Sequence, residues 1–248
     1  MKYVIPFFYT HKYNRKGIEG WAYFFEYYIA LFVLVLLYTQ NMLDLILLFL
    51  SLTAYSFIYE IGYIENNVFA IKLDAKPTLR HSELECSFIE KNMMKITMFR
   101  YIMAAILIII MSQFTNVFLF VFLLIVTRVV FYLYNMQFRQ GVVNRLLFVG
   151  LRFLRYFTPI FFLGINALLF VLPVVMVNFI NNYAWYDRSS LHLPRFFGTK
   201  VFDSVSYLCF YLYFVYVLDL DTISYIFLYM AVVKMILFVA VLVQKRVT

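Results

Sequence analysis

The sequence is poor in charged residues, in glycine and proline, and in cysteine. Asp, Glu, Lys and Arg make up 14% of its 248 residues, whereas a soluble domain contains about 25%. Seven glycines and five prolines leave little room for flexible linkers. Two cysteines, Cys86 and Cys209, are too few for a disulfide framework, and we interpret both as free thiols.

Apolar side chains are abundant instead. They make up 65% of the chain, aromatic residues make up 22%, and the mean hydropathy is +0.85. One soluble core cannot hide this excess, because a domain of this size still needs a polar surface. The composition excludes an ordinary soluble enzyme, a disordered protein and a nucleic-acid-binding module, and it predicts a polytopic membrane protein. The net charge of +8 then indicates basic cytoplasmic loops that contact anionic lipid.

The hydrophobic runs predict an all-α, polytopic transmembrane bundle of about eight spans. A helix needs about 20 apolar residues to cross a bilayer, and helices satisfy their own backbone polar groups there. The run 145–182 is long enough for two spans, and Pro159, Gly164 and Asn166 predict a hairpin near its middle. The predicted spans are 19–38, 42–63, 97–112, 116–134, 146–163, 166–182, 204–219 and 222–243.

The distribution of basic residues favours eight spans over seven. The linkers 38–41, 112–115, 164–166 and 219–222 contain no Lys or Arg. With eight spans, every basic segment lies on one side of the membrane, as the positive-inside rule requires. The chain is therefore predicted to be a single membrane domain over residues 1–248 with both termini in the cytoplasm.

The N-terminal segment, residues 1–18, is predicted to be cytoplasmic or to lie in the membrane interface. Its aromatic residues Tyr3, Phe7, Phe8 and Tyr9 are of the type found at that depth. The segment does not have the order of a cleavable signal peptide. Compact loops and the lack of eukaryotic targeting signals favour a bacterial inner membrane.

Two predicted cytoplasmic loops, 64–96 and 183–203, are longer than a turn and are the expected places for function. Glu60 and Glu65 stand at the start of the first loop, and Lys72, Lys76 and Arg80 follow. Mg²⁺ takes oxygen ligands from carboxylates and substrate phosphates, and basic side chains bind phosphate. The pattern suits a metal–diphosphate site, but ordinary interfacial charges at a helix end explain it equally simply.

The second loop is also rich in oxygen ligands. Asn178 and Asn182 share one helical face, and Asp187 and Arg188 follow. Helix capping within an aromatic belt is the alternative interpretation. Under the eight-span topology both loops lie on one side of the membrane, so the two polar helix ends are able to face one cavity.

Three basic side chains within or beside the spans need partners. Arg128 lies well inside a span and must find a carboxylate or water, with Glu60 or Glu65 as the candidates. Lys234 is similar, and Asp203 is its candidate partner. Arg145 belongs to a basic cluster that is suited to phosphate or, more simply, to anionic headgroups.

The first loop resembles the acidic motif of the UbiA superfamily of membrane prenyltransferases, Asn-Asp-x-x-Asp-x-x-x-Asp followed by a basic element. Asn66 matches the asparagine and Asp74 the last aspartate, whereas Asn67 and Ala70 replace the other two. Residues 76–80 stand where the basic element of the family falls. In the second loop, the family's Asp-rich motif is represented only by Asn182 and Asp187.

The resemblance implies that Mg²⁺ held by the two motifs binds a prenyl diphosphate, whose allylic cation then alkylates an unknown acceptor. The implied catalytic residues are Glu60, Glu65, Asp74 and Asp187. The implied phosphate-binding residues are Lys72, Lys76, Arg80, Arg128, Arg145 and Arg188. The implied metal ligands are Glu65, Asn66, Asn67, Asp74, Asn182 and Asp187.

Two functions are therefore predicted. The first is an integral-membrane transferase of UbiA type that acts on an isoprenoid phosphate or diphosphate at the cytoplasmic face. The alternative is a transport or scaffold subunit that binds a lipid-linked or anionic substrate without turning it over, and the replaced aspartates favour it. Both functions imply membrane lipid as a partner and exclude nucleic acid.

Overall fold

The structure is a computed structural model, and it describes residues 2–14, 18–73, 80–138, 141–186, 200–216 and 221–247. Within those ranges the chain is helical and contains no strand. The α-helices in this part of the chain are α1 Ile18–Tyr23, α2 Ala30–Thr39, α3 Met42–Val68, α4 Glu83–Met111, α5 Phe118–Tyr132, α6 Gly141–Phe157, α7 Asn166–Tyr186, α8 Lys200–Tyr216 and α9 Asp221–Val247.

Shorter turns of other helix types extend several of these helices. The stretches Thr10–Asn14, Phe24–Ile29 and Leu133–Gln137 are π-helical. The stretches Lys2–Val4, Ala70–Leu73 and Thr158–Leu163 are 3₁₀-helical.

The chain forms two compact units. Unit 1 contains Met1–Lys16 and Ile46–Phe162, and unit 2 contains Gly17–Leu45 and Leu163–Thr248. Each unit is therefore assembled from two separate parts of the sequence.

In the described part of the chain, four helical segments are long and apolar enough to cross a membrane: Met42–Leu73, Glu83–Met111, Phe118–Gln137 and Gly141–Leu163. Four shorter apolar segments are Phe24–Thr39, Asn166–Val177, Val201–Val215 and Ser224–Val239. All of them coincide with the eight predicted hydrophobic runs, and they indicate a membrane protein. That all eight segments cross the bilayer stays a prediction.

The outer surface of α4 agrees with this interpretation. Met94, Ile102 and Ile109 are each more than half exposed although they are apolar. Such a row of exposed apolar side chains is unfavourable in water and suits contact with lipid.

The break predicted within residues 145–182 is present, and the antiparallel arrangement of the two helices stays a prediction. Helix α6 ends at Phe157, the 3₁₀ turn Thr158–Leu163 contains Pro159, and α7 begins at Asn166. Between them Gly164 has a φ of 61°, a left-handed conformation that favours glycine. Both cysteines are free thiols, as predicted.

The N-terminal segment of unit 1 packs against the helices. Tyr3 and Tyr9 are buried in a core cluster with Ile64, Ile89 and Ile96, so these two aromatic rings contact protein, and the location of the segment at the membrane stays a prediction. Their burial is favourable because backbone and side-chain polar groups of the segment find partners within the protein, as described below.

Helix α4 begins far upstream of the predicted span at 97–112. The Ser82 side chain accepts a hydrogen bond from the backbone N–H of Glu85 at 3.3 Å, and the Glu85 side chain accepts one from the Ser82 N–H at 3.4 Å. This capping box fixes the start of the helix at Glu83. The early start adds a polar turn to α4, and this turn contacts the N-terminal segment.

Helices α3 and α5 approach each other closely at Gly62. A Cβ atom on Gly62 would lie 2.3 Å from Cγ of Phe131, so only glycine fits here. The Asn135 amide donates a hydrogen bond to the Gly62 carbonyl at 3.0 Å. This contact sets the spacing of α3 and α5 beside the pocket described next.

Candidate functional site

The predicted partner of Arg128 is confirmed as Glu65. Nη2 of Arg128 lies 2.7 Å from Oε1 of Glu65, and Nε donates a hydrogen bond to the Tyr101 hydroxyl at 3.1 Å. The three side chains come from α5, α3 and α4, so the pair joins three helices of unit 1. Both charged side chains keep about a quarter of their surface exposed, so the pair borders an accessible space.

That space is a pocket of about 230 Å³ in unit 1. Its polar lining consists of Glu65, Thr97, Arg128 and Asn135. Its apolar and aromatic lining consists of Phe69, Met93, Tyr132 and Met136. A cavity with apolar walls and a few convergent polar groups is the usual form of a small-molecule site.

One nitrogen of the Arg128 guanidinium lacks a hydrogen-bond acceptor. Its Nη1 atom is buried and makes no hydrogen bond in the structure. A buried donor without an acceptor is costly, so an acceptor oxygen from a ligand or water would stabilise it. Because its Nη1 atom lacks an acceptor, Arg128 is suited to bind an anionic group.

Glu60 has a different environment, deep in unit 1. Its Oε2 lies 3.0 Å from Nη2 of Arg100, and its Oε1 accepts a hydrogen bond from the Thr10 backbone N–H at 2.7 Å. Both ionic side chains are almost fully buried. Each oxygen of Glu60 therefore has a protein partner, and the described contacts of this residue are structural.

Sequence reasoning missed the role of Arg100, although the predicted span 97–112 contains this residue. Because α4 begins at Glu83, Arg100 lies well within the helix, and it is fully buried. Its Nε and Nη2 donate to the Tyr3 carbonyl at 2.9 and 2.7 Å, and Nη1 donates to the Phe57 carbonyl at 3.2 Å. The capping box at Ser82 was the sequence signal that could have revealed the longer helix.

Asn67, predicted as a metal ligand, is buried against the N-terminal segment. Its amide donates a hydrogen bond to the Tyr9 hydroxyl at 3.0 Å, and that hydroxyl lies 2.6 Å from Nε2 of His81. Burial raises the pKa of the Tyr9 phenol, while the Asn67 hydrogen bond opposes that rise. The phenol is therefore neutral at neutral pH and acts as a hydrogen-bonding group.

The other described candidates lie at several places in unit 1. Lys72 forms an ion pair with Glu90 at the surface. Arg80 is exposed, whereas Asn66 and Arg145 are half-buried. The structure brings Glu65 and Arg128 together in one pocket, and the described candidates Lys72, Arg80 and Arg145 are not among the residues that line it.

The rest of the predicted site lies outside the described residues. This applies to Asp74, Lys76, Asp187 and Arg188, and to the side chain of Asn182. Within the residues that the structure describes, no group of three or more His, Cys, Asp or Glu side chains could hold a metal. Glu65 and Asn67 already bond to protein groups, so the described ligands do not form a Mg²⁺ site by themselves, and the complete ligand set stays a prediction.

Unit 2 contains the predicted pair of Lys234 and Asp203. Nζ of Lys234 lies 2.9 Å from Oδ2 of Asp203, which confirms the pairing. A second carboxylate, Glu26, lies closer still, with Oε2 at 2.7 Å from the same nitrogen. Sequence reasoning missed Glu26, because 208 positions separate it from Lys234 and only the tertiary structure joins them.

Comparison of the chain with protein-family models, with curated proteins and with solved structures finds no match. The resemblance to the UbiA superfamily therefore rests on the residues of the two loops and stays a prediction. The pocket around Arg128 is the described site from which a function can be argued.

Proposed function

We propose that the protein is a membrane-embedded transferase that acts on an isoprenoid phosphate or diphosphate. The observation that carries the proposal is the pocket of about 230 Å³, in which the Glu65–Arg128 pair adjoins apolar and aromatic walls. An isoprenoid phosphate has the same two parts, an anionic head and an apolar chain. Glu65 also stands directly before Asn66, where the resemblance to the prenyltransferase motif begins.

The guanidinium of Arg128 is the proposed anchor for the phosphate. Glu65 and Tyr101 bond to Nη2 and Nε and hold the guanidinium plane in place, which leaves Nη1 to donate to a phosphate oxygen. Arginine suits this task because its planar fork matches phosphate geometry. The same contact would stabilise the negative charge that develops on a departing phosphate or diphosphate.

The apolar side of the pocket is the proposed binding place for the first isoprene unit. Phe69, Met93 and Tyr132 provide a flexible apolar and aromatic surface there. Exclusion of water by these side chains would protect a reactive allylic cation from hydrolysis. Mg²⁺, implied by the resemblance, would add positive charge at the leaving group.

The alternative function is binding of a lipid-linked or anionic substrate without chemistry. Glu60 and Glu65, the described carboxylates at the predicted catalytic end, both bond to arginine side chains. A carboxylate that is held in an ion pair is a weaker ligand for a catalytic metal. This observation favours a transport or scaffold subunit in which Arg128 recognises the anionic head alone.

The binding step is tested by thermal unfolding of the purified protein with farnesyl phosphate and with farnesyl diphosphate. A ligand at 100 times its dissociation constant stabilises the folded state by about 2.7 kcal/mol. Stabilisation is expected for the wild type and is expected to be largely lost in Arg128→Gln. Lys95→Gln is the matched control, because Lys95 is exposed on α4, the helix that contributes Met93 and Thr97.

The catalytic step is tested by release of inorganic diphosphate from farnesyl diphosphate, with Mg²⁺ and with EDTA, in the presence of lipid extracts as acceptors. Mg²⁺-dependent release that disappears in Arg128→Gln supports the transferase. Ligand stabilisation without release supports the binding subunit instead. No stabilisation by either compound, or equal stabilisation of Arg128→Gln and the wild type, contradicts both proposals for this pocket.

A further inference from the structure

The described part of the N-terminal segment, residues 2–14, is hydrogen-bonded to two helices of unit 1. The Tyr3 carbonyl accepts hydrogen bonds from Nε and Nη2 of Arg100 on α4, at 2.9 and 2.7 Å. The Thr10 N–H donates to Oε1 of Glu60 on α3 at 2.7 Å. The segment therefore joins the same two helices that contribute walls to the pocket around the Glu65–Arg128 pair.

Tyr9 makes the central contact of this segment, and it is fully buried. The Asn67 amide donates to its hydroxyl at 3.0 Å, and the hydroxyl oxygen lies 2.6 Å from Nε2 of His81. Because a side-chain amide nitrogen only donates, the hydroxyl accepts from Asn67 and directs its own proton to His81. A single hydroxyl group thus connects the end of α3 to the residue that precedes the N-cap of α4.

The backbone of the segment is strained at Phe7, whose φ of 67° lies in the left-handed region that favours glycine. A residue with a large side chain keeps such a conformation only where surrounding contacts hold it. Phe7 stands between the contacts of Tyr3 and those of Tyr9 and Thr10, so these contacts hold the segment against its own backbone preference. Loss of one contact is therefore expected to loosen the segment.

The segment and the pocket lie against neighbouring faces of α3. Ile64 and Val68 belong to the core cluster that contains Tyr9. The residues one position further along the chain, Glu65 and Phe69, line the pocket. The end of α3 therefore stands between the N-terminal segment and the pocket.

Helix α4 shows the same arrangement. Ile96 belongs to the core cluster, whereas its neighbour Thr97 lines the pocket. Phe69 and Met93 take part in both, since each of them lines the pocket and packs against the cluster. Protein interiors are close-packed and transmit displacements, so a shift of the segment moves these two walls of the pocket.

We infer that Tyr9 is a positioning residue for the pocket. By joining Asn67 to His81, it keeps the N-terminal segment packed against Phe69 and Met93 and thereby fixes the walls that the ligand contacts. This inference deepens the proposed function and rests on it for the identity of the ligand. Packing of the segment and binding of an isoprenoid phosphate are then coupled, and because such coupling is reciprocal, the ligand also holds the segment more firmly.

The first test needs no ligand. Nε of Arg128 on α5 donates to the Tyr101 hydroxyl on α4, so the ¹⁵N signal of this N–H reports on the position of α4 relative to α5. The signal is measured by solid-state NMR of the full chain in lipid, and it should shift in Tyr9→Phe. Tyr229→Phe is the matched control, because the Tyr229 hydroxyl donates to the Phe25 carbonyl in unit 2, and it should leave the signal unchanged.

The second test measures binding of farnesyl phosphate. Coupling between two sites typically changes affinity by about fivefold or more, so the dissociation constant should rise by about that factor in Tyr9→Phe and stay unchanged in Tyr229→Phe. In the wild type the ligand should slow hydrogen exchange of the Thr10 N–H, although Thr10 does not line the pocket. In Arg128→Gln, which should not bind the ligand, the same addition should leave this exchange unchanged.

The two tests separate failure of the inference from failure of the proposed function. An unshifted Arg128 signal in Tyr9→Phe, or a dissociation constant equal to that of the wild type, overturns the positioning role. A shifted signal in a protein that does not bind farnesyl phosphate supports that role and contradicts the proposed function. If Tyr9→Phe does not fold, Tyr13→Phe takes its place, because it removes a hydrogen bond of 2.8 Å to Glu85 from the same segment.

Discussion

In unit 1 the buried carboxylate of Glu60 has an arginine of its own, whereas in unit 2 two carboxylates share the ammonium of Lys234. The Glu60–Arg100 pair is also fully hydrogen-bonded, with the Thr10 N–H and the Tyr3 carbonyl as further partners. Beside Lys234, by contrast, Oδ1 of Asp203 is buried without a hydrogen-bond partner. A buried pair whose polar atoms all have partners holds a structure together, whereas a buried polar atom without a partner costs free energy.

The Glu65–Arg128 pair lies between these two cases. Its charges balance, but its Nη1 has no acceptor and its side chains border a pocket. The comparison therefore separates a buried pair whose polar atoms are all bonded, at Glu60, from a pair that borders a pocket, at Arg128.

The largest effect is expected when the buried Glu60–Arg100 pair is broken. Glu60→Gln removes the carboxylate and leaves the Arg100 guanidinium buried without a counter-charge, so the free energy of unfolding should fall by about 3–5 kcal/mol. The measurement is unfolding in detergent by heat or by SDS titration. Glu90→Gln is the control, because the exposed Lys72–Glu90 pair contributes only about 0–1 kcal/mol. Equal losses of stability in the two variants would show that the Glu60–Arg100 pair does not stabilise the fold.

A smaller effect is expected when the packing beside the pocket changes and the charges do not. Gly62→Ala forces a methyl group into the Phe131 ring, and such overpacking costs about 1–3 kcal/mol. The same unfolding assay should show this loss, together with weaker binding of farnesyl phosphate. Gly150→Ala is the control, since no atom lies within 4 Å of a Cβ at Gly150. A Gly62→Ala variant as stable as the control would contradict the close approach of α3 and α5.

The smallest effect is expected at Lys234, which contacts two carboxylates. Asp203→Asn leaves the Lys234–Glu26 pair intact, so stability at neutral pH should change by less than about 1 kcal/mol. The decisive comparison is with Glu60→Gln, which is an equally conservative change at an equally buried site. A loss of stability in Asp203→Asn as large as the loss in Glu60→Gln would mean that Asp203 stabilises the fold as strongly as Glu60.

Hydropathy predicted the helical segments well because each apolar run is longer than a turn and is bounded by polar residues. Arg128 could be assigned a partner in advance, since a cation inside an apolar helix needs a nearby acid and Glu65 was one of two within reach. The turn at Gly164 followed from Pro159 and from the length of the run. These features depend on local sequence.

The remaining features depend on contacts between distant segments. The first turns of α4 are polar and looked like a loop, so the helix was predicted to begin at residue 97 and no partner was assigned to Arg100. The aromatic N-terminal segment has the composition of an interfacial peptide, and nothing local shows that the Tyr3 carbonyl accepts from Arg100. Glu26 could not be linked to Lys234, because no periodicity connects residues that far apart. The predicted ligands Asp74 and Asp187 stay predictions.

The contact between Tyr3 and Arg100 also has a consequence for the order in which the chain is made. The donor and the acceptor are 97 positions apart, so the N-terminal residues leave the ribosome long before their partner is synthesised. During that interval the Tyr3 carbonyl lacks its native donor, and the Thr10 N–H lacks its native acceptor until Glu60 has been made. The contact of the N-terminal segment with α4 therefore forms only after Arg100 has been translated, long after the segment itself.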